Sequence, residues 1–162
     1  MGKLISKVVE VNGDKESLLD ALYKPKLWET ISPVKRIEVE FTAPNVFYSE
    51  IYDEVDLINI PIEMSGELVM EDQGEVPDKG RLIELNVRNN KDVEKLEARL
   101  RIKAIGPNKS KVGVFVHNFK LNNEFLNLVG DASELILRRK LSEILRNLET
   151  FLKDNDVKEL IE

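Results

Sequence analysis

The sequence predicts a single α+β domain in the order β-α-α-β6-α, and three observations carry that prediction. Hydrophobic periodicity switches from helical to two-residue at Val34, stays two-residue through Phe119, and becomes helical again for the last third of the chain. A length of 162 residues suits one compact domain over 1–162. With 42% hydrophobic and 33% charged residues, the chain is too apolar and too varied to be disordered.

Leu4 to Val11 reads as the first strand, with Ile5, Val9 and Val11 on one face and Lys7 interrupting it. Asn12-Gly13-Asp14 ends that strand, and Asp14 can cap a helix running from Lys15 through Leu22. Pro25 opens a second short helix carrying Leu27, Trp28 and Ile31. Ser32-Pro33 closes it, because the residue before a proline avoids helical geometry. Ile37, Val39 and Phe41 then alternate with Arg36, Glu38 and Glu40 in a half-buried strand, and Val46 to Val55 returns after a turn at Thr42 to Asn45. The extended region from Asp56 to Met70 contains Pro61 and Gly66, which predict a bend or bulge. Glu71 to Lys79, acidic and holding Gly74 and Pro77, reads as a surface loop.

Arg81 to Arg88 is a further strand, with Ile83, Leu85 and Val87 on one face. The clearest alternation follows it: Leu96, Ala98, Leu100, Ile102 and Ala104 against Lys95, Glu97, Arg99, Arg101 and Lys103. Gly106-Pro107-Asn108 makes a hairpin into Lys111 to Phe119. A long helix runs from Asn122 or Asn123 to about Asp154. It is apolar on more than one side over Phe125 to Leu137 and on a narrower stripe afterwards. Residues 155–162 read as a frayed tail.

Composition removes several chemistries. The chain has no cysteine and a single histidine, His117, so disulfides, thiolate nucleophiles, iron–sulfur clusters and cysteine zinc sites are ruled out. A net charge of -6 disfavours a general nucleic-acid binder, and no nucleic-acid partner is expected. Phosphate-loop, dinucleotide and zinc-protease motifs are missing, and neither cofactor nor metal is expected. Glu63, Glu67 and Glu71 would align on a helix, but the surrounding pattern is extended. The amino terminus lacks a signal-peptide pattern and no apolar run reaches the length of a membrane span, so the expected location is cytoplasmic. Abundant Glu, Lys and Ile with the sole glutamine at Gln73 give a thermophile-like bias, which an AT-rich genome would also produce.

Four constellations stand out. If Gly106 to Lys109 forms the hairpin turn, Ala98 faces His117, and His117, Phe115 and Phe119 point inward with Leu100 and Ile102. A turn longer or shorter by one residue would carry His117 outside. On Val46 to Val55, Phe47, Ser49, Ile51 and Val55 make the more apolar face and are preferred as core. Tyr48, Glu50 and Tyr52, a carboxylate between two phenols, then face outward and are free for a dimer surface. Arg138-Arg139-Lys140 reads as solvated or paired with Glu134 and Glu143 at helical spacing. Val112, Val114 and Val116 lie opposite Phe115 and His117, and a strand apolar on both faces is either covered on both sides or offers a contact surface for a homodimer.

The stretch Ala21-Leu22-Tyr23-Lys24-Pro25-Lys26-Leu27-Trp28-Glu29-Thr30-Ile31-Ser32-Pro33-Val34-Lys35-Arg36-Ile37 resembles the helix, proline, aromatic and Val-Lys-x-Ile passage into the second strand of the Bet v 1-like superfamily. That superfamily is also called START-related or SRPBCC, and the order of elements matches it over nearly the whole chain. The chain is also similar to a small thermoacidophilic archaeal family of that fold. The resemblance implies a helix-grip fold, in which a seven-stranded curved antiparallel sheet wraps a long C-terminal helix. It implies a cavity between sheet and helix that binds or carries a hydrophobic small molecule, lipid-like or polyketide-like. The lining residues expected are Val39, Phe41, Ile83, Leu85, Leu100, Ile102, Phe115, His117, Phe125 and Val129. Two alternatives stay open: a cyclase- or aromatase-type enzyme using His117 or a buried carboxylate, and a co-chaperone-like interaction module with a filled core.

Overall fold

The computed structural model describes residues 5–55, 60–122 and 133–161. The elements are β1 (Ile5–Asn12), α1 (Lys15–Leu22), α2 (Pro25–Ile31), β2 (Arg36–Ala43), β3 (Val46–Val55), β4 (Ile60–Val76), β5 (Gly80–Arg88), β6 (Val93–Gly106), β7 (Lys109–Leu121) and α3 (Ser133–Asp154). All seven strands form one antiparallel sheet in the order β1-β7-β6-β5-β4-β3-β2. β2 to β7 are a meander, and β1 closes on β7. Among the described residues, no helix is long and apolar enough to cross a membrane.

Local signals set the first third as the sequence predicts. Asp14 caps α1 by accepting from the Ser17 backbone N–H at 3.0 Å, and Pro25 is the first residue of α2. The Trp28 indole donates to the Leu22 carbonyl at 2.8 Å, so the ring is held over the sheet. There it stacks on Phe47 at 5.2 Å, and Phe47 in turn meets Phe41 at 5.5 Å. The inner sheet face, α1, α2 and the Leu145, Leu148 and Leu152 stripe of α3 share one core. Burying each of those leucines stabilises the fold by about 1.5–3 kcal/mol. A smaller cluster of Ile62, Val93 and Leu121 is joined at its edge by Ile136. The start of the long helix, with Phe125 and Val129, lies outside the described residues.

The β6–β7 hairpin departs from the simple register. Gly106 pairs Lys109 and Leu96 pairs Phe119, as the turn predicts, but between them the strands are slipped by one residue. A bulge near Ile105 starts the slip, and a second near His117 cancels it. Within that stretch Ala98 pairs Val116, Leu100 pairs Val114 and Ile102 pairs Val112. Val112, Val114 and Val116 are therefore buried in the core, not an exposed dimer face. Phe115 lies on the outer face, with the Arg101 guanidinium 5.4 Å from its ring centre. His117 falls in the bulge, between the Ala98–Val116 and Glu97–Asn118 pairs, and is not aligned with Leu100 and Ile102. In the unslipped register Lys111, Gly113 and Phe115 would take the places of Val112, Val114 and Val116, and the three valines offer the core more aliphatic surface.

Two further expectations are corrected. The acidic segment over 71–79 is not a loop: β4 runs to Val76 with a bulge between Asp72 and Gly74, and β5 begins at Gly80. Arg81 donates to both carboxylate oxygens of Asp72 at 2.8 Å, and the Gly74 N–H donates to Asp72 at 2.9 Å, which fixes the bulge. Gly80 has φ 85° and lies so close to Ile102 that a Cβ there would meet its carbonyl oxygen at 2.3 Å. Pro61 and Gly66 sit within β4 without disturbing its pairing to β3.

The tail also folds. After α3 the chain forms a 3-10 turn, Val157–Leu160, closed by a reciprocal Asp156–Glu159 capping box. Val157 and Leu160 are 3% and 0% exposed, and the turn packs on α1.

Leu160→Ala should cost about 2–5 kcal/mol in urea unfolding, whereas a frayed tail would cost nothing. The Arg81 fork, aided by the Gly74 N–H, holds the Asp72 carboxyl below its ordinary value of 3.8. A carboxylate held low stabilises the fold above its unfolded value, and that contribution is lost as pH falls through the lowered value. Asp72→Asn should therefore lower stability at neutral pH and flatten the loss below about pH 4, read from denaturation midpoints across pH.

Candidate functional site

β3 alternates Phe47, Ser49, Ile51 and Asp53 on the inner face, so the last of these brings a carboxylate into an apolar layer. Asp53 is only 7% exposed and sits opposite buried Ile62. Its charge is matched by Lys140 of α3, whose Nζ lies 2.7 Å from Asp53 Oδ2. The same ammonium donates to the Pro33 carbonyl at 2.6 Å, in the link from α2 to β2. Two helical turns further on, Asn147 donates to the Ile31 carbonyl at 2.9 Å. These bonds tie one face of α3 to β3 and to the end of α2.

A pocket of about 450 Å³ opens beside these ties. Ile136, Arg139, Lys140, Glu143 and Asn147 form its α3 wall, at the i, i+3, i+4, i+7 and i+11 spacing of one helix face. Pro33, Val34 and Lys35 form the opposite wall, and Asp53 with Glu54 closes the strand side. The lining carries three cations (Lys35, Arg139, Lys140) and three carboxylates (Asp53, Glu54, Glu143), so its formal charge is zero.

This pocket is not where the sequence places the ligand. Ile83, Leu85, Leu100 and Ile102 are buried in the main core, and Val39 and Phe41 pack against it half-buried. Phe115 is on the outer face, His117 is in the bulge, and neither lines the pocket. The carboxylate and phenol constellation is on the outer face, as preferred from alternation. There Tyr48 donates to Glu50 at 2.9 Å and Tyr52 to Glu54 at 3.0 Å. Each bond to a carboxylate pushes its phenol's pKa up. Of the basic run, Arg138 pairs with Glu134 at 3.1 Å as expected, whereas Lys140 turns inward. The available clue was Asp53, a charged residue in phase with the core face of its strand. A partner cation had to be found for it.

No family model and no curated protein sequence matches the chain. Solved structures do match. A START superfamily protein from Mycobacterium smegmatis superposes with a TM-score of 0.63 at 15% identity, over 92% of this chain and 96% of that one. The chain has the helix-grip fold of the START-related, Bet v 1-like superfamily. An aromatase/cyclase from Streptomyces sp. R1128 gives a TM-score of 0.65 at 10% identity, over 92% of each chain. Norcoclaurine synthase from Thalictrum flavum, in complex with dopamine and hydroxybenzaldehyde, gives 0.61 at 12% identity, over 93% of this chain and 86% of that one. These three come from two bacteria and a plant, and they lend the archaeal resemblance no support.

The Asp53–Lys140 pair can be tested directly. Asp53→Asn and Lys140→Met should each destabilise by about 1–3 kcal/mol, because each leaves the other charge partly buried and uncompensated. The double variant should cost less than the sum of the two, and strict additivity in a double-mutant cycle would show that the pair is not coupled.

Proposed function

We propose that this helix-grip protein binds a small, largely apolar molecule between α3 and the sheet, with the pocket beside Asp53 and Lys140 as its recognition end. The observation that carries this reading is the pocket itself. Its 450 Å³ falls within the roughly 300–1,000 Å³ of small-molecule sites, and it lies in the seam where the helix meets the inner sheet face. Ile136 joins it to the apolar cluster of Ile62, Val93 and Leu121, so an apolar ligand body has a surface to cover. Each Å² of apolar area removed from water would contribute roughly 25 cal/mol to affinity. The complex of the Thalictrum enzyme with two small aromatic molecules supports the reading by analogy of fold.

The enzymatic alternative has less to stand on. It needs His117, which does not line the pocket, or a buried carboxylate, and the buried carboxylate there is Asp53. Asp53 and Lys140 neutralise each other, a state suited to holding a polar group in place.

Nile red, an uncharged dye that brightens in apolar surroundings, should show saturable enhancement with the full chain. Ile136→Glu should weaken it about tenfold, because the new carboxylate occupies the apolar wall. Val8→Glu is the control, since Val8 is 48% exposed on the outer face, and it should leave the titration unchanged. A linear, non-saturating signal with the unmutated chain would count against binding.

A further inference from the structure

We propose that the pocket selects an uncharged polar head group that both accepts and donates a hydrogen bond, such as the hydroxyl of an alcohol, over a carboxylate or an ammonium. The inference rests on the small-molecule reading above and names the ligand class for that site.

The argument starts from charge. Asp53 is 7% exposed and its partner Lys140 is tied to it at 2.7 Å, so the most buried charges in the pocket already cancel. Of the remaining lining residues, Lys35 and Arg139 are cationic and Glu143 anionic, while the Glu54 carboxylate is taken up by Tyr52 on the outer face. An ionic head entering beside Asp53 and Lys140 meets two charges that are already paired with each other. It has to bury a third charge beside a satisfied pair or break that pair, and either is costly in a partly buried site. A hydroxyl brings no charge.

Hydrogen-bond capacity points the same way. An ammonium has three N–H donors, and those of Lys140 serve Asp53 Oδ2 and the Pro33 carbonyl, which leaves one for a ligand oxygen. An ionised carboxylate accepts several bonds, so Asp53 can take one from a ligand O–H without releasing Lys140. One hydroxyl satisfies both partners, whereas a carboxylate lacks the donor and an ammonium lacks the acceptor. Ile136, Pro33 and Val34 then offer apolar contact to the ligand body.

The test is a head-group series on one chain length, with decanol, decanoate and decylammonium displacing Nile red from the 162-residue chain at neutral pH. Decanol should compete at least about tenfold more tightly than either ion. Asp53→Asn leaves the Lys140 charge uncompensated and should move the preference to decanoate, and Lys140→Met should move it to decylammonium. Decanoate or decylammonium binding the unmutated chain as tightly as decanol would overturn the inference and leave the binding reading standing. Failure of all three probes, together with no saturable Nile red signal, would overturn the binding reading itself. The comparison on the unmutated chain decides the matter even if a variant does not fold, and an unchanged order in folded variants would place the head elsewhere.

Discussion

An antiparallel sheet with one apolar face is not stable in water until that face is covered, and this constraint organises the molecule. The inner face exposes more area than one helix can hide. α3 supplies Leu145, Leu148 and Leu152, α2 supplies Leu27 and Ile31, and the chain's last residues add Val157 and Leu160. Dispersion and hydrophobic burial have no direction, so they set that α3 lies on the sheet without fixing where along it. The polar ties do that. Lys140 and Asn147 bind carbonyls at the end of α2, and Asp53 holds Lys140 from the sheet side.

Those same ties shape the pocket. Where α3 is fastened by leucines it packs into the core, and where it is fastened by long polar side chains a pocket opens beside them. A buried ion pair is a weak source of stability, since desolvation consumes most of its Coulomb gain. Its value here is geometric: it fixes helix, strand and connecting link around one space.

The elements that were legible in the sequence are those whose signals are local. Asp14, Pro25 and Pro33 act within a turn of where they stand, and the alternation of Ile37, Val39 and Phe41 or of Leu96 to Ile102 needs no knowledge of the partner strand. The β6–β7 hairpin shows where local reading stops. Its turn and far end follow the predicted register, but two compensating bulges slip the middle, because three valines make a better core face than Lys111, Gly113 and Phe115. The acidic stretch over 71–79 misled for a similar reason. Its carboxylate at Asp72 is bound by Arg81 of the next strand, so charge that looked solvated holds a bulge in a continuous hairpin. In the tail, Asp156 and Glu159 spelled a capping box that composition alone obscured.

The sequence by itself determined the class of fold, the order of its elements and the lack of thiol chemistry, since these follow from periodicity, turn residues and counts. Only the tertiary structure decided which face of β7 is core and that His117 sits in a bulge. It also decided that Lys140 leaves a basic surface run to meet Asp53, 87 positions away in sequence. The reason is physical. Strand register and ion-pair partners are chosen by comparing the burial costs of distant residues, and no window along the chain contains both sides of that comparison.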